Sequence, residues 1–353
     1  MRDALGMPTT QKLIDLASDT ATRPTPAMKA AMCEAPLGDE QRREDPTTLA
    51  LEERAAALLG TECALFLPSA TLANQIAIAL HCRSGDEVLC HKSAHVFNYE
   101  TGAASMISQV QLQTLAGRKG IFTGEDVKNA VRDDDPHLPR TRLVVVENTS
   151  NGGGGTVWPD EAFASVVVVC RERDLKLHID GARLMNAAVA HDVEPSFWGA
   201  RADTVQLCFS KGLGAPFGAV LGMKEEDFWR ARRLKQGLGG ALRQSGIIAA
   251  AALYGLEHHV EKLSDDHRRA AAFAAFIDAT DGLVCTDRGT NLVFFRVEKP
   301  GKTAAALLEY AAAQNVRLAQ SLDGRIRACF HLDVTDEDVA RAQQVLLDGT
   351  RRE

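Results

Sequence analysis

At 353 residues the chain is long enough for one large α/β domain carrying a smaller one. Hydrophobic residues at 45%, charged residues at 25% and aromatics at 5% exclude disorder and collagen-like repeats, and a net charge of −7 excludes a general pull toward nucleic acid or an anionic membrane. No apolar run reaches the roughly 18 to 20 residues that span a bilayer. The amino-terminal MRDALGMPTTQK has no secretory apolar stretch either, so the expectation is a cytoplasmic protein. The eight cysteines, at 33, 63, 82, 90, 170, 208, 285 and 329, form no CxxC pair, so they are expected to be reduced core residues and no metal site is expected.

From about residue 50 to 225 helical and strand-like stretches alternate, as in a parallel sheet flanked by helices. LALEERAAALLG (49–60) has helical spacing and ends on Gly60, a C-cap residue. CALFLP (63–68) is a short strand, TLANQIAIALHC (71–82) a helix, and DEVLCH (86–91) a strand. RLVVVEN (142–148) is apolar enough to be buried on both faces, and LKLHID (175–180) and TVQLCFS (204–210) complete the series. These last three strands end in polar residues, at the carboxyl edge where open α/β sheets hold their ligands. SGIIAAAALYGLEHHVEKL (245–263) is expected to be one long helix leading out of a large domain of residues 1–255. GLVCTDRGTNLVFFRV, TAAALLEYAAAQ, RIRACFHLDV and TDEDVARAQQVLLDG then read as a smaller α+β domain over 256–353.

FSKGLGAPFGAV (209–220) sets one lysine at the end of a strand-like run, followed by small residues that leave its amine uncrowded. This suits a Schiff-base lysine, which must lose its proton to react, although a solvated loop lysine reads the same way. HIDGARLMNA (178–187) ends an apolar strand in Asp180, an acid that can pair with a pyridinium nitrogen, ligate a metal or cap a helix. Together, Asp180 and Lys211 point to a pyridoxal cofactor. FLPSATLANQ (66–75) passes from strand to helix through Ser69, Ala70 and Thr71, whose N–H groups suit a phosphate or an ordinary helix cap. His95, in LCHKSAHVFNYETG, is either a ring-stacking or a structural histidine.

These segments resemble the threonine aldolases, within the pyridoxal-phosphate-dependent family of aromatic amino acid β-eliminating lyases. The resemblance also takes in IDLASDTATRPT (14–25), GDEQRREDPTT (38–48), ENTSNGGGG (147–155), GLGGALRQ (237–244) and RACFHLDV (327–334), nearly the whole chain. It implies an aspartate-aminotransferase-like, fold type I large domain with a mostly parallel sheet, plus a smaller C-terminal α+β domain. It implies pyridoxal 5'-phosphate held on Lys211, with Asp180 on the pyridine nitrogen, His95 over the ring and Ser69, Ala70 and Thr71 around the phosphate. Arg183, Arg327 and Ser18 correspond to residues near the substrate carboxylate, and Arg243 to one that reaches the phosphate from a neighbouring subunit. A homodimer or homotetramer with shared active sites is therefore implied, acting on a small β-hydroxy amino acid by retro-aldol cleavage to glycine and an aldehyde.

Three positions depart from the family pattern. Arg42, followed by Arg43, stands where tyrosine is usual; Ser150 stands where histidine is usual; and Ala70 precedes Thr71 where glycine is usual. Arg42 is expected to face the substrate side chain and favour an acidic one, unless it pairs with a neighbouring acid. With Ser150 in place of histidine, a water is the expected proton relay. Fold and cofactor pocket do not fix which bond breaks, so another β-eliminating lyase, a dehydratase or a racemase stays open, as does a non-catalytic protein that has kept the fold.

Overall fold

The computed structural model describes residues 12–352, so the stretch 1–11, read above for a secretory signal, lies outside the described residues. After a two-residue strand β1 (Ile14–Asp15), seven strands build the main sheet: β2 (Cys63–Leu67), β3 (Glu87–His91), β4 (Gln111–Leu115), β5 (Thr141–Glu147), β6 (Lys176–Gly181), β7 (Thr204–Cys208) and β8 (Ala219–Met223). Their order is β2-β8-β7-β6-β5-β3-β4. Strands β3 to β7 run parallel, whereas β8 is antiparallel to both β7 and β2. Two reversals bring β2 parallel to β7 again, so β2, β5, β6 and β7 present their carboxyl ends at one edge. Helices cover both faces: Val144 and Val146 of β5 enter one apolar cluster while Leu143 and Val145 enter another. That is why the strand lacks alternation.

Local chemistry sets the helices beside this sheet. Asp45 caps the helix Pro46–Leu59 by accepting from the Thr48 N–H at 2.8 Å, Pro46 opens it, and Gly60 closes it at φ +68°, a conformation that favours glycine. Ser69 likewise caps Ala70–His81, its Oγ accepting from the Leu72 N–H at 3.1 Å.

The second sheet holds β9 (Leu283–Arg288) and β10 (Leu292–Val297), then β12 (Ala319–Gln320) and β13 (Ile326–Cys329), all antiparallel in the order β12-β13-β10-β9. Strand β11 (Val316–Arg317) pairs in parallel with β1. Ile14 and Leu16 thereby enter the apolar cluster of the C-terminal sheet. The amino-terminal segment, expected with the large unit, packs on the small one.

Three further expectations need correction. Within 245–263 the expected helix runs only over Gly246–His258; a turn follows, and Leu263 begins a second helix, Leu263–Ala279. The first helix, Val260 and Leu263 pack into the core of the main sheet, and the second helix enters that of the small sheet from Ala270 onward; Asp265 and Asp266 in its first turn favour a new start there. Strand β13 stops at Cys329, short of the expected RIRACFHLDV run. Cys33 is exposed, because it lies at the end of the surface helix Pro26–Glu34; the other seven thiols are free and at least partly buried. Among the described residues no helix is long and apolar enough to cross a membrane.

Candidate active site

A cavity of about 470 Å³ opens between the carboxyl edge of the main sheet and the small sheet, lined by Ser18, His95, Asn151, Arg183, Lys211 and Arg327 among others. Lys211 follows β7 in a tight turn where the Gly214 N–H donates to the Lys211 carbonyl at 2.9 Å, with Gly214 at φ +78°. No hydrogen bond or ion pair to another described residue holds its ammonium, so the amine faces the cavity uncommitted.

Asp180 ends β6 and is 1% exposed. Its Oδ1 accepts from the Ala182 N–H at 3.1 Å and its Oδ2 from Asn74 Nδ2 at 2.9 Å. Asn74 stands on the helix Ala70–His81, which covers this face of the sheet, and its Nδ2 also donates to Glu100 Oε1 at 2.8 Å. His95 Nδ1 donates to the same Glu100 oxygen at 2.8 Å. Burial of the His95 ring opposes its charge, but the Glu100 hydrogen bond and the carboxylates of Asp180 and Glu100 outweigh that, and its pKa is raised. Glu147 orders the neighbouring backbone: its carboxylate accepts from the His95 and Asn151 N–H groups, each at 2.6 Å. Burial and the nearby Asp180 charge push the Glu147 pKa up, against those two donors.

The cationic wall is assembled from distant segments. Arg183 is 5% exposed and gripped by Asp19, which accepts from Nε at 2.5 Å and from Nη2 at 2.8 Å. Burial penalises the Asp19 charge, yet the Arg183 guanidinium overcomes the penalty and holds this carboxyl well below the usual range. The Arg327 Nε and Nη2 donate to the Ala17 carbonyl at 3.2 and 2.7 Å. Both arginines reach one acceptor: Asn151 Oδ1 lies 3.3 Å from Arg183 Nη1 and 3.4 Å from Arg327 Nη1. Ser18 sits at the start of a short 3-10 turn, its Oγ accepting from the Thr20 N–H at 3.2 Å.

Other sequence candidates fall elsewhere. Ser69, Ala70 and Thr71 open the helix after β2, on the same sheet edge but outside the lining of this cavity. Ser150 is buried, and its Oγ accepts from the Gly153 N–H at 3.2 Å, so it closes its own loop. The side chain that reaches the cavity from this loop is its neighbour Asn151. Within one chain Arg42 does not line the cavity: its side chain is 74% exposed and lies 3.9 Å from Asp39. Arg243 meets the same Asp39 at 3.3 Å. The expectation that Arg42 faces the substrate space is therefore not met inside a single chain. Sequence reasoning passed over Asp19, Asn74, Glu100, Glu147, Asn151 and His178. The available signal was polarity out of place, as in Asn74-Gln75 inside an apolar helix and His178 inside an apolar strand.

Comparison with known proteins adds to this geometry. The Beta-eliminating lyase family model matches residues 15–300. The chain is 40% identical over 329 residues to the low specificity L-threonine aldolase of Escherichia coli K12, covering 93% of this chain and 96% of that protein. It is 37% identical over 333 residues to low-specificity L-threonine aldolase 1 of Arabidopsis thaliana, covering 92% of this chain and 93% of that protein. Among solved structures, threonine aldolase of Leishmania major superposes with a TM-score of 0.83 at 19% identity, over 96% of this chain and 99% of that one. Serine palmitoyltransferase of Sphingomonas wittichii superposes at 0.76 with 16% identity, over 98% of this chain and 89% of that one. These two likenesses speak for the fold, the large-sheet and small-sheet arrangement of fold type I. With a family match across most of its length and relatives at this level of identity, the chain belongs to the beta-eliminating lyase family, among the relatives of the low-specificity threonine aldolases.

Proposed function

We propose that this protein is a pyridoxal 5'-phosphate-dependent aldolase that cleaves L-β-hydroxy-α-amino acids of the threonine type to glycine and an aldehyde. The observation that carries this reading is the meeting of an uncommitted lysine and two buried or half-buried arginines around one cavity, with the buried Asp180 and Glu100 carboxylates behind its His95 wall, in a chain 40% identical to a low specificity L-threonine aldolase.

The donor set fits the cofactor. Lys211 offers a free amine, Asp180 a buried carboxylate at the carboxyl end of the adjacent strand, and Ser69 to Thr71 the N-terminus of a twelve-residue helix on the same edge for the phosphate. Lys211 would hold the group, with Asp180 as the partner of its ring nitrogen and His95 beside its ring. When bound, pyridoxal phosphate supplies a protonated ring that draws off the electron pair freed at Cα.

The chain's own residues do the rest. Arg183 and Arg327 seat the amino acid carboxylate, and Asp19 and the Ala17 carbonyl fix the two guanidiniums before substrate arrives. Ser18 lines the same end of the cavity. His95 donates a hydrogen bond from Nδ1–H to Glu100, which leaves the bare Nε2 of the neutral ring to take the β-hydroxyl proton, directly or through a water. Because the carboxylates raise the His95 pKa, the neutral ring dominates only on the alkaline side of histidine's ordinary range, so kcat/KM is expected to rise as pH climbs through that raised value.

Arg42 and Arg243 share Asp39 on an exposed patch, which supports their acting at a neighbouring subunit's site in a homodimer or homotetramer. Light scattering of the active protein tests the assembly, and an active monomer would end that assignment. The activity is tested by incubating the cofactor-loaded protein with L-threonine. Glycine and acetaldehyde in equal amounts are expected; an oxo acid and ammonia, or racemised threonine, would overturn the aldolase reading.

A further inference from the structure

Beneath Asp180 lies a buried row of polar side chains between the helix Ala70–His81 and strands β6 and β7. Asn74 Oδ1 is 3.0 Å from His178 Nε2, His178 Nδ1 is 2.9 Å from Thr204 Oγ1, and Thr204 Oγ1 is 3.1 Å from His81 Nε2. His178 and Thr204 are fully buried and Asn74 is 1% exposed.

The proton positions in this row follow from one another. Asn74 Nδ2 lies within 2.9 Å of an oxygen of Asp180 and of one of Glu100, and only an N–H₂ group can face two carboxylates. Asn74 Oδ1 must then accept, so His178 carries its proton on Nε2. Burial lowers the His178 pKa to about 4, so at neutral pH its Nδ1 is bare and accepts from the Thr204 hydroxyl. Thr204 Oγ1 in turn accepts from His81 Nε2–H. Every donor along the row points toward Asn74.

From this row we infer that His178 is a positioning residue for Asp180: its Nε2–H anchors the Asn74 amide oxygen so that the N–H₂ group is held at hydrogen-bond distance from Asp180 and Glu100. The inference rests on the pyridoxal phosphate reading above. With the His178 donor removed, Asn74 Oδ1 is left without its buried partner and the amide loses one of the contacts that hold it in place. Its N–H₂ group is then held less firmly against Asp180, and a carboxylate that loses hydrogen-bond donation is the more basic partner. A more basic Asp180 keeps the proton that the ring nitrogen needs. Substrate carboxylate binding, which depends on Arg183 and Arg327, is untouched by that change.

Geometry separates this role from mere packing. The amide nitrogen of glutamine reaches as far as histidine Nε2, whereas that of asparagine stops near Nδ1. His178→Asn is expected to lower kcat about tenfold, the scale of one hydrogen bond, with KM within about twofold and with the visible band of the cofactor-loaded protein altered in position or pH response. His178→Gln should restore kcat to within about threefold of wild type together with the wild-type band. Thr204→Val, which keeps the shape and removes the hydroxyl facing Nδ1, is the second variant should His178→Asn fail to fold. It should shift kcat and the band in the same direction by a smaller amount. Equal losses in the Asn and Gln variants, or a band unchanged in both His178→Asn and Thr204→Val, would overturn the inference while leaving the aldolase reading intact. A wild-type protein that shows no cofactor band would overturn both.

Discussion

The floor of the cavity and its cationic wall solve the same problem, burying charge, from different stretches of chain. The floor is assembled between residues 74 and 204 from one sheet and the helix that covers it, and Asp180 and Glu100 are satisfied there chiefly by the neutral amides of Asn74 and Gln75, with the His95 ring as a further donor to Glu100. The wall joins Ala17, Asp19, Asn151, Arg183 and Arg327, with Asn291 Nδ2 donating to Asp19 Oδ2 at 3.1 Å, and balances a buried guanidinium with a buried carboxylate. Hydrogen bonds from neutral groups tolerate small displacements, whereas an ion pair removed from water leaves a costly orphan when either partner goes. The floor is therefore expected to govern chemistry and the wall to govern substrate affinity and the attachment of the small sheet.

Lys211 stands between the two regions and should show the largest effect. Lys211→Ala is expected to abolish the visible band of the loaded protein and to lower turnover about 10³-fold or more. Unchanged absorbance and turnover would break the assignment of both regions to one site.

Asp19→Ala tests the wall alone. Arg183 would be left buried and unpaired, at a cost of about 3–5 kcal/mol in unfolding free energy, read from urea titrations. KM for the amino acid should rise at least about tenfold as the guanidinium loses its alignment. A stability loss under about 1 kcal/mol would mean that the pair is not the strut described here.

Acid should weaken the regions in sequence. The folded His178 pKa is depressed to about 4, so above histidine's ordinary value it costs nothing. As pH falls from there toward 4 the unfolded chain binds a proton that the folded chain refuses, and stability drops by about 1.4 kcal/mol per pH unit, about 3 kcal/mol in all. The Asp19 pKa is depressed too and the sign is the same, but the window lies lower: its contribution is complete above the ordinary carboxylate value near 4 and is lost only as pH falls further. Urea unfolding of wild type and His178→Gln between pH 7 and 4 separates the two windows. Parallel curves for the two proteins would show that His178 is not the buried neutral base assigned to the floor.

The smallest effect is expected at Arg42, which belongs to neither region of its own chain. Arg42→Ala should change unfolding free energy by less than about 0.5 kcal/mol, because its pairing with Asp39 is exposed. The same variant sharpens the comparison through kinetics. A tenfold change in the ratio of kcat/KM for threonine and 3-hydroxyaspartate, at unchanged stability, would mean that a second subunit completes the wall.

Much of the floor was legible before the fold was known. An apolar strand ending in HIDGAR and another ending in FSKG must both finish at the carboxyl edge of a parallel sheet, so Asp180 and Lys211 converge for reasons of strand direction alone. Helix limits near Gly60 and Ser69 were likewise written in cap chemistry. The partners of these groups were not legible. Asn74 meets Asp180 across 106 residues of sequence and Asp19 meets Arg183 across 164, contacts that depend on which helix covers which face and on where the amino-terminal segment docks. The break between His258 and Leu263 was hidden for a related reason: apolar residues on both sides of it face the same core, so helical periodicity runs through the turn. Local periodicity and capping determined the elements and the edge where chemistry gathers; long-range burial decided which charges are paired there and which, like Arg42, are left to the surface.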